Sequence, residues 1–104
     1  MLVAFSVAPT ETPGAKADMA DAVAEAIRVV RASGLPYETN AMFTNIEGEW
    51  DEVMDVVKRA TEAVVAVSPR VSLVLKADIR PGVTGAITAK VDAINKRLGS
   101  PDNS

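Results

Sequence analysis

The polar side chains best suited to chemistry are concentrated in one short segment near the middle of the chain, residues 42–51. Thr44 and Asn45 supply a hydroxyl and a carboxamide, and Glu47 supplies a carboxylate close to them. Gly48 follows this carboxylate and permits a turn or a close backbone approach that a side chain would block. The residue types alone predict a polar site in a small α+β domain and go no further.

The composition removes most familiar kinds of catalysis. The 104 residues include neither Cys nor His, which excludes disulfides, thiolate catalysis, the usual zinc sites and imidazole acid–base chemistry. The net charge of -3, without any basic run, argues against nucleic-acid binding. The acidic cluster in residues 49–55 lacks calcium-loop spacing and is more typical of side chains that complement a helix dipole, so we expect no metal site.

The length fits a single domain over residues 1–104, with a polar tail from about residue 99. The apolar start, residues 2–8, has no basic leader and is followed at once by Pro9, so it is interpreted as a strand and not as a signal sequence. No stretch approaches the roughly 18–20 apolar residues that span a membrane. We therefore expect a soluble cytoplasmic protein.

Hydrophobic periodicity predicts the elements that must position the central segment. Strands are predicted from two-residue alternation and helices from apolar residues three and four apart. The predicted order is a strand at 2–8, a loop at 9–14, a helix at about 15–32, strands at about 37–43 and 44–49, a helix at 50–67, a strand at 71–80 and a helix at 84–98. Gly34 is expected to end the first helix, Trp50 to anchor the second helix in the core, and Thr84 to cap the third.

This order is βαββαβ plus a terminal helix, the ferredoxin-like arrangement. The predicted fold class is α+β, a sandwich of a four-stranded antiparallel sheet with two helices on one face plus a C-terminal helix. The alternation then assigns a mixed set of residues to the open face of the sheet: Leu2, Ala4, Ser6, Asn40, Met42, Val74, Lys76 and Asp78. Such a face is too apolar for water and too polar for a core, so we expect copies to pair sheet against sheet, with a pocket between subunits.

Three segments carry a resemblance to a known family. They are Ser6-Val7-Ala8-Pro9, Thr44-Asn45-Ile46-Glu47-Gly48-Glu49 and Lys76-Ala77-Asp78-Ile79-Arg80. Together with the order of the helices, they make the chain resemble the thiamine-binding protein family over most of residues 2–98. The resemblance implies a ferredoxin-like fold, dimers or tetramers paired through their sheets, and binding of thiamine or a related pyrimidine or thiazole compound without turnover. The first loop, 10–13, departs from the pattern, because relatives often carry Gly and Ser there.

The chemistry of thiamine indicates which side chains would bind it. Its thiazolium ring is a fixed cation, so a site needs a carboxylate, an apolar or aromatic wall and a few polar partners. Glu47 is the predicted partner of the charge. The polar edge is assigned to Ser6, Asn40, Thr44 and Asn45, and the walls to Met42, Phe43 and Trp50. The structural alternatives are a turn or helix-end role for Glu47 and a core role for Trp50. No catalytic residue and no cofactor are predicted, thiamine being the ligand.

Two other classes of function remain open from the residues. One is a structural or regulatory ferredoxin-like oligomer that binds no thiamine, an analogy from the fold alone. The other is an enzyme, which without His or Cys would need Glu47, Asp78 or Lys76 as its acid or base.

Overall fold

In the part of the chain that the structure describes, seven elements follow one another in the predicted order. The computed structural model describes residues 1–11 and 16–99. The elements are β1 (Leu2–Glu11), α1 (Lys16–Ala32), β2 (Tyr37–Thr39), β3 (Thr44–Glu47), α2 (Trp50–Val65), β4 (Arg70–Asp78) and α3 (Ala86–Leu98). The four strands form one antiparallel sheet in the order β2-β3-β1-β4. The α+β, ferredoxin-like arrangement with an additional C-terminal helix is confirmed.

The core lies between one face of the sheet and the two long helices. Alternate residues of the central strand β1, Val3, Phe5 and Val7, are buried, as the alternation predicts. They pack with Ile46 of β3 and with apolar residues of α1 and α2 at helical spacing. The helix residues of this core are Ala22, Ala26, Val30, Val53, Val56, Val57, Ala60 and Val64. Burial of each Val or Phe side chain contributes about 1.5–3 kcal/mol.

The first strand is longer than predicted. β1 continues through Pro9 to Glu11, where a loop was predicted, and it pairs with β4 with an irregular register between Pro9 and Glu11. The prediction was wrong because β3 pairs only with Leu2–Phe5, which leaves β4 as the strand neighbour of β1 at Pro9. A strand with one free side tolerates a residue without an N–H. The remainder of the predicted loop, residues 12–14, lies outside the described residues.

The second strand is shorter than predicted and ends at Thr39. The side-chain oxygen of Asn40 accepts hydrogen bonds from the backbone N–H groups of Met42 and Phe43, each at 2.9 Å. This local turn competes with the sheet ladder, which is why the prediction of a strand through Phe43 was wrong. The assignment of Asn40 and Met42 to the open face of the sheet was wrong for the same reason.

Two predictions at helix ends were also wrong. α3 begins at Ala86, and its N-cap residue is Gly85 with φ of 73°, a left-handed conformation that glycine adopts without strain, so Thr84 is not the cap. Trp50 begins α2 as predicted, but 55% of its surface is exposed, so it is not a core anchor. Gly34, with φ of 77°, follows the end of α1 as predicted.

The strand register defines the open face of the sheet. Leu2 lies between Glu47 of β3 and Asp78 of β4, and Ala4 lies between Asn45 and Lys76. Opposite residues of paired strands point to the same face, so all six belong to the face away from α1 and α2. Ser6 and Val74 continue it, as predicted. Among residues 1–11 and 16–99, no helix combines the length and apolarity needed to cross a membrane.

Candidate functional site

Glu47 is the last residue of β3, and its carboxylate binds the first turn of α3. Its Oε2 accepts the backbone N–H of Ala86 at 2.8 Å, and its Oε1 accepts that of Ile87 at 3.3 Å. These N–H groups have no partner within the helix, and a carboxylate also complements the positive end of the helix dipole. The arrangement corresponds to the helix-end alternative for this residue. A ligand contact by Glu47 stays a prediction, and it would have to coexist with these two bonds.

Gly48 lies at a close approach of three parts of the chain. A Cβ atom there would stand 3.2 Å from Cγ2 of Val53 and 3.3 Å from both Cδ atoms of Leu35. Its carbonyl oxygen accepts a hydrogen bond from the N-terminal ammonium of Met1 at 2.9 Å. The segment from Thr44 to Glu49 therefore joins β1, α2 and α3, which is a structural role for much of the motif.

The first cleft lies where β3 stops pairing with β1, between the turn after β2 and α1. We call it the hairpin cleft, and its volume is about 220 Å³. Its lining comprises Phe5–Ala8 of β1, Val23, Ala26 and Ile27 of α1, and residues 39–44. Five of the eight predicted site residues meet there: Ser6, Asn40, Met42, Phe43 and Thr44. Val23 and Ile27 were not predicted as site residues, although an apolar stripe on α1 wider than its buried residues was a signal for them.

The hairpin cleft is lined by uncharged residues only, with a few hydrogen-bonding groups. The hydroxyls of Thr39 and Thr44 lie 3.2 Å apart, and Thr44 is buried. The oxygen of the Asn40 side chain is used by the turn, which leaves its amino group as the donor for a ligand. Met42 is 74% exposed at this cleft. Apolar walls with few polar groups are suited to a small heteroaromatic ring.

The other three predicted residues lie elsewhere. Trp50 lines a second cleft of about 270 Å³ together with Glu49, Arg80 and the loop 79–84. Asn45 lies on the open face of the sheet opposite Ala4 and lines neither cleft. Glu47 is 7% exposed and borders a space of only about 10 Å³ next to α3. The structure therefore does not bring the predicted carboxylate and the indole to the five residues of the hairpin cleft.

A ferredoxin-like sheet with a small, uncharged cleft defines the molecule as an α+β domain suited to binding a small molecule. The comparison with protein families agrees. The model of the family described as thiamine-binding protein matches residues 3–95, so the chain belongs to that family. This confirms the resemblance found in the sequence.

Relatives and solved structures extend the comparison. The chain is 56% identical to a UPF0045 protein of Mycobacterium tuberculosis over 103 residues, 98% of each chain. A crystal structure of a hypothetical protein from Methanocaldococcus jannaschii matches with a TM-score of 0.78 and 34% identity, over 91% of this chain and 95% of that one. A structure from Thermotoga maritima, provisionally assigned to thiamine biosynthesis or salvage, matches with a TM-score of 0.75 and 27% identity, over 89% and 96%.

Proposed function

We propose that a cytoplasmic homo-oligomer of this chain binds thiamine, or a related pyrimidine or thiazole compound, and does not turn it over. One observation carries the proposal: in a member of a family described as thiamine-binding, the lining of the hairpin cleft includes five of the eight residues predicted for a thiamine site. These five residues come from β1, β3 and the turn between β2 and β3.

The lining of the hairpin cleft supports a heteroaromatic ligand. Phe43 and Met42 supply apolar contact, and the Thr44 hydroxyl and the Asn40 amino group supply hydrogen-bonding partners for a ring edge. A cationic ligand is also favoured by the net charge of -3, which lowers its energy near the protein surface. We place the uncharged pyrimidine part of the ligand in the cleft and its cationic part toward the solvent or a second subunit.

Calorimetric titration with thiamine tests the proposal, using Thr44→Val as the site variant. Valine keeps the shape and strand preference of threonine but removes the hydroxyl, so we expect the affinity to fall roughly tenfold, as for one lost hydrogen bond of about 1.5 kcal/mol. Thr88→Val, at an exposed position of α3, is the matched control and should bind as the parent does. Absence of heat from the parent at millimolar thiamine would contradict the proposal.

The position of the site at a subunit interface has its own test. Met42 leaves apolar surface exposed at the hairpin cleft, and Val74 does so on the open face of the sheet, which supports a second copy nearby. A ligand held between subunits binds the oligomer more tightly than the monomer, so thiamine should shift sedimentation toward the oligomer. An oligomerisation constant unaffected by saturating thiamine would place the site within one subunit.

The second candidate is a structural or regulatory oligomer without thiamine. The apolar residues exposed on α3, Val91, Ile94 and Leu98, favour this candidate because they indicate assembly independently of any ligand. It predicts a stable oligomer together with no heat from thiamine or from either of its two rings added separately.

A further inference from the structure

The C-terminal helix α3 presents its larger apolar side chains away from its own subunit. Ala86 and Ala89 border an open cleft of about 440 Å³ that they share with Leu2 and Asp78 of the sheet. The larger apolar residues behave differently: Val91, Ile94 and Leu98 are 51%, 48% and 81% exposed. None of the 13 residues of α3 is buried. The helix is therefore amphipathic but has no cover for its apolar stripe in its own subunit.

The base of α3 is nevertheless fixed to the sheet. The two hydrogen bonds to Glu47 hold the N–H groups of Ala86 and Ile87, and the left-handed Gly85 sets the direction in which the helix leaves the loop. A helix of this length is marginal in water unless one face packs against something. Because its apolar stripe is exposed, α3 needs a surface outside its own subunit to pack against.

The charges indicate which surface this is. α3 carries three of the 11 basic residues and one of the 14 acidic residues, which leaves eight basic against thirteen acidic residues elsewhere in the chain. Two copies of α3 would repel each other, whereas α3 and the rest of a second copy attract. The open face of the sheet offers apolar surface at Leu2, Ala4 and Val74, with Lys76 and Asp78 at its β4 edge and Glu38 at its β2 edge.

We propose that α3 lies with Val91, Ile94 and Leu98 against the open sheet face of a second copy of this chain, and that the second copy reciprocates. The exchange is isologous, so it closes at a dimer and covers both open faces at once. It rests on the self-association in the proposed function and names α3 as the element that makes the contact. Glu47 is then a positioning residue for the interface, because it fixes the N-terminus of α3, the helix that contacts the second copy.

Disulfide cross-linking tests this arrangement, since the native chain has no cysteine. Ile94→Cys and Val74→Cys are made as separate proteins, mixed in equal amounts and oxidised; a covalent dimer of one copy of each is expected as the main product. Lys96→Cys, on the other side of α3, is the matched control and should cross-link to Val74→Cys at least tenfold more slowly.

Each alternative arrangement gives a different product. A chain carrying both cysteines that closes on itself as a monomer shows that α3 covers its own sheet. A dimer formed by Ile94→Cys alone, faster than the mixed dimer, shows that two α3 helices pair with each other. Either result, or no cross-link above that of the Lys96→Cys control, overturns the proposal.

Sedimentation gives a second measurement without cysteines. Replacing Ile94 and Leu98 by Ala together removes apolar contact, and we expect the dissociation constant of the dimer to rise roughly tenfold or more. Thr88→Ala is the control, and an unchanged constant for the double variant contradicts the proposal. Thiamine calorimetry separates the two proposals. Cross-linking without thiamine binding would contradict only the proposed ligand. Thiamine binding without cross-linking would contradict only the proposed role of α3.

Discussion

At the scale of single residues, Glu47 shows how a motif can look like a binding site and also serve the fold. Its position after two polar residues and before a glycine indicated a carboxylate for a cationic ligand. In the structure the same carboxylate accepts two backbone N–H groups that follow it by 39 and 40 residues. The local sequence around Glu47 cannot predict this contact, because it forms only when the fold brings the end of β3 next to the start of α3.

Substitution of Glu47 separates its structural role from a role in ligand binding. Glu47→Ala leaves two helix N–H groups without their acceptor, so we expect urea unfolding to show a loss of about 1–3 kcal/mol. Glu47→Gln keeps an oxygen acceptor but loses the charge, and it should cost less. Hydrogen exchange at the amides of Ala86 and Ile87 should accelerate in both variants.

The thiamine affinity of the Glu47→Gln variant tests whether this carboxylate contacts the ligand. If Glu47 acts by positioning α3, the Gln variant should bind thiamine about as the parent does. Glu62→Gln, which removes an exposed carboxylate of α2, is the control for the change in net charge. A tenfold loss of affinity in Glu47→Gln with unchanged unfolding would instead show that the carboxylate contacts the ligand.

At the level of elements, the sequence predicted the helices and strands that have a clear hydrophobic periodicity. It did not predict the features that depend on the contacts of single side chains. The helices α1 and α2 and the strand β4 were predicted to within two residues, because apolar spacing over many positions defines them. The hydrogen bonds of the Asn40 side chain end β2 earlier than predicted, and the one-sided pairing of β1 at Pro9 lets that strand continue further than predicted. Trp50 is exposed where a core position was predicted. Each depends on neighbours in space or on competition between two hydrogen-bonding patterns.

The residues of the candidate site were also predictable only in part. The family resemblance and the chemistry of thiamine grouped Ser6, Asn40, Met42, Phe43 and Thr44, and all five line the hairpin cleft. Closeness in sequence already placed Asn40, Met42 and Phe43 near Thr44. Trp50 follows Gly48, where the chain turns into α2, and this turn carries the indole to another cleft. The contribution of α1 to the wall had no signal beyond an apolar stripe broader than the core required.

The turn after β2 is the element that a single substitution tests best. Asn40→Ala removes the acceptor of the N–H groups of Met42 and Phe43, and we expect a loss of about 1–2 kcal/mol in unfolding free energy. Ligand binding should weaken as well, because both residues line the hairpin cleft and lose their fixed backbone position. Asn40→Asp keeps the acceptor and should preserve the stability. Equal unfolding curves for the parent and the Ala variant would contradict this role of Asn40.

At the scale of the whole molecule, the chain is extended for its length. Its radius of gyration is 15.5 Å, with extents of 48, 35 and 21 Å. A compact domain of this size has a radius of gyration of about 13 Å. The core formed by the sheet, α1 and α2 contains no residue of α3, and three of the large hydrophobic residues exposed in the described part of the chain, Val91, Ile94 and Leu98, lie on this helix.

Hydrogen exchange at several protein concentrations tests whether self-association supplies the missing cover for α3. In a separated subunit, α3 retains its anchor at Glu47 but has no buried side chain, so its amides past the first turn should open easily and exchange fast. The amides of α2, whose inner face belongs to the core, should stay protected at every concentration. We therefore expect protection of residues 91–98 to rise with protein concentration while that of α2 stays constant. Protection of α3 that is strong and independent of concentration would show that the helix is stable within one subunit.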